Sequence, residues 1–170
     1  MCGCEEGYAG INSPCVASSY SFEDVNSSTY SSNFIYIQFN ESGSSNQWAQ
    51  RSAFGGYSGA YALCSNSMFY NSNSTMIIHI NMPADGTVSF YLKGTCEEHD
   101  ELNVYYDGEN WISSRNFYTG SKTTGWSSWT SQSVDLSAGN HTLTFNYRKD
   151  NETNGGDDRF CIDDLSLSFD

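Results

Sequence analysis

The feature that most restricts this chain's fold is a series of short runs in which every second residue is apolar. Val88, Phe90 and Leu92 share one parity, as do Leu143, Phe145 and Tyr147, and Leu165, Leu167 and Phe169. A period of two lines one face of a β-strand, whereas a helix needs an apolar position every three or four residues. Strands are expected over 34–39, 60–64, 75–80, 87–92, 101–106, 129–134, 141–147 and 160–169. Turn residues punctuate them, among them Asp85-Gly86, Asp107-Gly108 and Ala138-Gly139-Asn140. No segment sustains a helical period, so the expected class is all-β, a sandwich or a barrel.

With 170 residues, 38% of them apolar and 15% aromatic, the chain can build one core but not two comfortable domains. It holds no run near the ~20 apolar residues that a membrane-spanning helix needs, so no membrane insertion is expected. Twenty acidic against seven basic side chains give a net charge of -13. Such a surface repels phosphates, which argues against nucleic acid and against anionic lipid as partners. The same charge either keeps a secreted protein soluble or serves hard cations such as calcium, which take carboxylate and carbonyl oxygens.

Six cysteines, at 2, 4, 15, 64, 96 and 161, point to an oxidising compartment. Cys2-Gly-Cys4 is not a CxxC pair, and no spaced histidines complete a tetrahedral zinc site. Fifteen pairings are open to six cysteines, but at least one bridge is expected to involve Cys64, Cys96 or Cys161 in the body of the fold. Residues 1–18, with three cysteines and little pattern, read as a disulfide-tied extension, and 19–170 as the sandwich. Met1 runs directly into Cys-rich polar sequence, which predicts that a leader once preceded it. Asn26, Asn40, Asn73, Asn140 and Asn151 head Asn-x-Ser/Thr sequons. With 16 Asn and 39 Ser plus Thr in the chain, chance supplies about four, so five are no sign of glycosylation.

The segments Gly86-Thr-Val-Ser-Phe-Tyr-Leu-Lys93 and Asp100-Glu-Leu-Asn-Val-Tyr-Tyr-Asp-Gly108 resemble the central strand pair of MAM-like and cleaved-adhesin-type jelly rolls. The resemblance continues through Trp129, through Val134-Asp-Leu-Ser-Ala-Gly-Asn-His-Thr-Leu-Thr-Phe-Asn-Tyr147, and through Lys149-Asp150 and Ile162-Asp163-Asp164-Leu165. Upstream, Phe22-Glu23 and Gly59-Ala-Tyr-Ala-Leu63 fit the opening strands, so that residues 20–170 are covered. It implies a jelly-roll β-sandwich of two antiparallel sheets, concanavalin-like or galactose-binding-like, carried as a non-catalytic module of a larger multidomain extracellular or cell-surface protein. Its ligands range from glycans to proteins. Here a carbohydrate-binding module is expected, with a protein-binding adhesin or a structural spacer as the alternative.

On the last strand Asp163 shares parity with Cys161, Leu165 and Leu167, which predicts a core-facing carboxylate. Unpaired, it would be costly. The resemblance supplies Glu23 as a partner about a structural calcium, with Asp150, Asp157 and Asp158 in the loop that feeds the strand. Alternatively Asp163 is satisfied by backbone amides or by Arg159. Glu97, Glu98, Asp100 and Glu101 around His99 read as a solvated acidic loop.

For ligand recognition the candidates are aromatics expected in loops or on outward strand faces: Trp48, Trp111, Trp126, Tyr57, Tyr105 and Tyr118. Planar rings beside amide and charged groups stack sugars while neighbours hydrogen-bond the hydroxyls. Trp111, Trp126 and Tyr105 lead this set, whereas Trp129 is expected to be core or half-buried. The chain has no Gly-x-Ser-x-Gly elbow and no phosphate-binding Gly-rich loop before a helix, and no enzyme is expected.

Overall fold

The computed structural model describes residues 18–23, 29–31, 34–40, 48–52, 56–66, 71–97, 99–113, 123–151 and 159–169. The expected extension 1–18 therefore lies almost wholly outside the described residues, as do Cys2, Cys4 and Cys15. Twelve strands run in chain order among the described residues: β1 (Ser18–Tyr20), β2 (Thr29–Ser31), β3 (Ile35–Asn40), β4 (Ala49–Arg51), β5 (Ala62–Cys64) and β6 (Ser72–Met82), then β7 (Gly86–Glu97), β8 (Glu101–Tyr106), β9 (Glu109–Ser113), β10 (Thr123–Leu136), β11 (Gly139–Lys149) and β12 (Arg159–Phe169).

All pairings are antiparallel, in two sheets that face each other as a jelly-roll sandwich. Sheet A has the order β10-β7-β12-β5-β4, with β1 also paired to β12, and sheet B the order β2-β3-β6-β11-β8-β9. Each of the eight runs expected from alternation overlaps a strand, although Phe34, Ala60 and Tyr61 fall just outside β3 and β5. The inner parity fills one core: Val88, Phe90, Leu92, Phe160, Ile162, Leu165 and Leu167 from sheet A meet Ile37, Ile78, Val104, Leu143, Phe145 and Tyr147 from sheet B. Phe90 and Phe145 join the sheets edge to face at 5.3 Å, a geometry that aromatic quadrupoles favour.

Two tryptophans correct the expectation of outward loop positions. Trp48, just before β4, is only 2% exposed; its ring lies 5.8 Å from that of Phe145 and its Nε1–H donates to the Ser74 carbonyl at 3.4 Å. Trp111 is half-buried on β9 and meets Phe90 edge-on at 5.8 Å. Asp107 and Gly108, both at positive φ (45° and 86°), make a tight two-residue turn that returns the chain directly as β9.

β12 is the hub of sheet A. One edge pairs with β7; the other pairs first with β5 (Cys161↔Cys64, Ile162↔Leu63) and then with β1 (Leu165↔Tyr20). Between these partners the register with β7 shifts, and Asp164 takes φ 46°. This bulge changes parity, so Phe160 and Ile162 before it and Leu165 and Leu167 after it all face the core. Cys161 and Asp163 consequently face the outside of sheet A, which corrects the expectation of an Asp163 directed into the sandwich. A disulfide joins Cys64 to Cys161 across β5 and β12, as expected for the body cysteines.

Candidate functional site

The break in β12 is occupied by a segment gripped by two carboxylates. Asp163, fully buried, accepts at Oδ2 from the amides of Tyr57 (2.6 Å) and Ser58 (3.2 Å), and at Oδ1 from the amide of Asp164 (2.8 Å). Glu23, just beyond β1, accepts at Oε1 from the amides of Ala60 and Tyr61, both at 3.0 Å. The 56–61 segment between β4 and β5 is thus held from both ends of the chain. Gln50 of β4 donates to the carbonyls of Phe22 (2.8 Å) and Glu23 (2.5 Å), and the Ser58 hydroxyl donates to Asp164 Oδ1.

The clasp is conformationally demanding. Phe22 (φ 57°) and Asp164 (φ 46°) both sit in the left-handed region, which ordinary side chains avoid and which concentrates where the surroundings over-determine the backbone. Gly59 (φ 81°) has no room for a side chain, since a Cβ would lie 2.4 Å from Glu23 Oε1. At Gly56 a Cβ would meet Tyr61 O at 2.5 Å, Ser58 O at 2.6 Å and Asp163 Oδ2 at 2.9 Å. Three oxygens therefore converge against one glycine.

Burial raises the Asp163 carboxyl to about 6 against the pull of its three amide bonds, and the charge of Asp164 pushes in the same direction. Glu23, Asp163 and the inward carbonyls of Ser58 and Tyr61 are hard donors of the type calcium takes. Asp150 does not join them: it sits after β11, its amide donating to Asp100 Oδ1 at 2.8 Å and its carboxylate 3.9 Å from His99 Nδ1. Among the described residues no three His, Cys, Asp or Glu side chains converge as a ligand set. Asp157 and Asp158 lie outside the described residues.

The clasp also positions aromatic side chains. Because Val88, Phe90 and Leu92 of β7 face the core, Tyr91 and Lys93 face outward. The ring of Tyr57 lies parallel on that of Tyr91, with centroids 3.5 Å apart, and meets Trp129 of β10 near-perpendicular at 6.4 Å. Lys93 Nζ stands 5.7 Å over the Trp129 ring, which packs on Ala62 and the disulfide. Tyr57 remains 47% exposed and Tyr61 39%. An aromatic platform thus sits on the outer face of sheet A, its outermost ring tied through its own amide to Asp163.

The expected ligand-binding residues are divided by the fold. Trp126 pairs by its backbone with Gly94 on the β10 side of sheet A, and its side chain lies outside the described residues, as does Tyr118. Tyr105 faces outward on sheet B, half-buried between Thr144 and Asn110. Trp48 belongs to the core, and half-buried Trp111 packs against it. Tyr91 and Lys93 were missed, although their parity opposite Val88, Phe90 and Leu92 marks them as outward. Asp100, expected in a solvated acidic loop, is instead buried, with Lys149 Nζ 2.8 Å from its Oδ2 and both side chains fully enclosed.

No family model matches the chain, and no curated protein does either. Among solved structures, the chain is similar to the K1 cleaved adhesin domain of Lys-gingipain from Porphyromonas gingivalis W83, at TM-score 0.58 and 13% identity over 92% of this chain and 99% of that one. The K3 cleaved adhesin domain of the same protein matches at TM-score 0.51 and 14% identity, over 79% of this chain and 91% of that one. A match to the secreted serine protease VesC from Vibrio cholerae, at TM-score 0.47 and 17% identity, covers 62% of this chain, which spans only 21% of the protease. The chain shares the β-sandwich fold of the cleaved adhesin domains.

Proposed function

We propose that this chain is a non-catalytic, glycan-binding module of a larger extracellular protein, with a structural calcium in the Glu23–Asp163 clasp. The observation that carries the reading is Tyr57: a ring stacked on one side, open on the other, and held in place by backbone bonds to a buried carboxylate. Surface aromatics fixed in this way offer a rigid apolar face to the C–H face of a sugar at low entropic cost. Lys93, beside Trp129, supplies a donor for hydroxyls. The disulfide supports an oxidising compartment. The role that "adhesin" names in the gingipain domains accords with binding rather than chemistry. Calcium would hold the 56–61 segment, so the ion and the sugar surface would be linked through the chain between Gly56 and Tyr61.

Intrinsic fluorescence followed during titration with soluble polysaccharides tests the binding, with Tyr57→Ala and Trp129→Ala beside the wild type. Saturable binding weakened at least tenfold in Tyr57→Ala is expected. Wild-type binding that survives both substitutions moves the site elsewhere, and no binding to any polysaccharide favours a protein ligand or a spacer. For calcium, the melting temperature should be higher with the ion than after thorough chelation, and this difference should vanish in Glu23→Gln.

A further inference from the structure

Sheet B carries a second feature, on the face turned away from the platform. Where the start of β3, the end of β6 and the start of β11 run side by side, a cleft of about 280 Å³ opens, lined by Phe34, Tyr36, His79, Asn81, Asn140 and Thr142. Tyr36, His79 and Thr142 form one outward row across the three strands, and Asn81 and Asn140 are direct cross-strand partners in the next. The Tyr36 ring is 42% exposed and tilts by 31° over His79 at 5.6 Å, while His79 Nε2 lies 3.3 Å from Gln38 Oε1. The carboxamides of Asn81 and Asn140 are exposed and make no hydrogen bond among the described residues.

The charged groups nearby are engaged with each other. His141 Nδ1 lies 2.7 Å from Asp107 Oδ2 and its Nε2 2.8 Å from the Ser137 carbonyl, so neither ring nitrogen faces the cleft unbonded. What remains for a ligand is an aromatic face and two neighbouring amides, each both donor and acceptor. Adjacent sugar hydroxyls are likewise donor and acceptor, whereas an anionic ligand would find no lysine or arginine among the residues that line the cleft. The size suits one ring rather than an extended chain.

We propose that Tyr36, His79, Asn81 and Asn140 bind one neutral pyranose residue. This deepens the glycan-binding reading and rests on it. With the platform on the outer face of sheet A and the cleft on that of sheet B, the module is bivalent and bridges two glycan chains, so that multivalent ligand is held more tightly than either site alone allows.

The test is made on 15N-labelled protein from a host that adds no glycans, because Asn140 heads a sequon. The protein is titrated with the methyl glycosides of galactose, glucose, mannose and xylose. Saturable shifts of the Asn81 and Asn140 side-chain amides are expected with at least one sugar. They should weaken tenfold or more in Tyr36→Ala and in Asn140→Asp, and persist in Tyr57→Ala. Tyr36 lies outside the core, so an unchanged melting curve shows that its variant is folded. Shifts around Tyr57 with none at Asn81 or Asn140 overturn the second site and leave the first standing. Absence of any shift with all four sugars overturns both.

Discussion

At His141 the hydrogen-bond pattern selects one protonation state. The Ser137 carbonyl can only accept, so Nε2 carries a hydrogen, and the Asp107 carboxylate opposite Nδ1 demands a second. Burial lowers the His141 pKa, but the bonds to Asp107 and Ser137 outweigh it and leave the pKa above 6.5. For Asp107 burial acts upward, but the bonds from His141 and Thr142 outweigh it and hold its carboxyl below the usual carboxylate value. The sign for each follows from linkage: the His141 contribution is complete below pH 6.5 and is lost as pH rises through its folded pKa, whereas the Asp107 contribution is present above pH 3.8 and is lost as pH falls through its folded pKa. Denaturant titrations between pH 5 and 9 should therefore show stability falling on the alkaline side. His141→Gln should flatten that fall, and an unchanged slope would remove the pair from the account. The enclosed Lys149–Asp100 pair behaves differently. Lys149→Met leaves Asp100 buried without its cation and should cost ~3–5 kcal/mol, while adding Asp100→Leu should restore much of it, as measured by urea unfolding.

Among the elements, alternation made the long strands legible because a strand buried on one face repeats its pattern at every second residue. β12 was legible as a strand but not in its facing. A parity argument assumes unbroken pleating, and the left-handed Asp164 shifts it midway, turning Cys161 and Asp163 outward while Leu165 and Leu167 stay in. β9 has no alternation of its own; it exists because Asp107-Gly108 folds it back onto β8, so Trp111 looked like a loop residue. Glu23 and Asp163 hold the same 56–61 segment because β1 and β5 share one edge of β12, a fact of topology that no local pattern carries. The same topology makes the 56–61 segment intolerant of side chains. Gly56→Ala places a methyl group against two backbone carbonyls and Asp163, so the segment itself must move. A loss of ~1–3 kcal/mol is expected, within the range for overpacking, together with loss of sugar binding through the displaced Tyr57. Near-native stability with intact binding would show that the segment is looser than its contacts imply.

On the scale of the whole molecule, one covalent cross-link joins parts of sheet A that lie far apart in sequence. Cys64 and Cys161 are 97 residues apart in sequence, and the bridge between them encloses β6 through β11. It therefore ties the short strand β5 to the hub strand β12 beside the clasp, at the point where β12 exchanges one partner for another. A cross-link that closes so long a loop restricts the unfolded chain most, and chain-entropy reasoning assigns it roughly 4–5 kcal/mol, less any structure the unfolded state retains. For a chain of this size that corresponds to a fall of roughly 10–20 °C in melting temperature. The Cys64→Ala/Cys161→Ala variant isolates this bridge from the other cysteines, which reduction with a thiol would not. Its sheets should still form, because Ala62, Leu63 and Ile162 remain buried around the substituted pair. The expected result is a native-like circular dichroism spectrum with a markedly lower melting temperature, and weaker sugar binding, because Trp129 loses the sulfur pair on which it packs. A variant as stable as the wild type would mean that the outer face of sheet A holds its shape without the bridge, and would leave the platform resting on the carboxylate clasp alone.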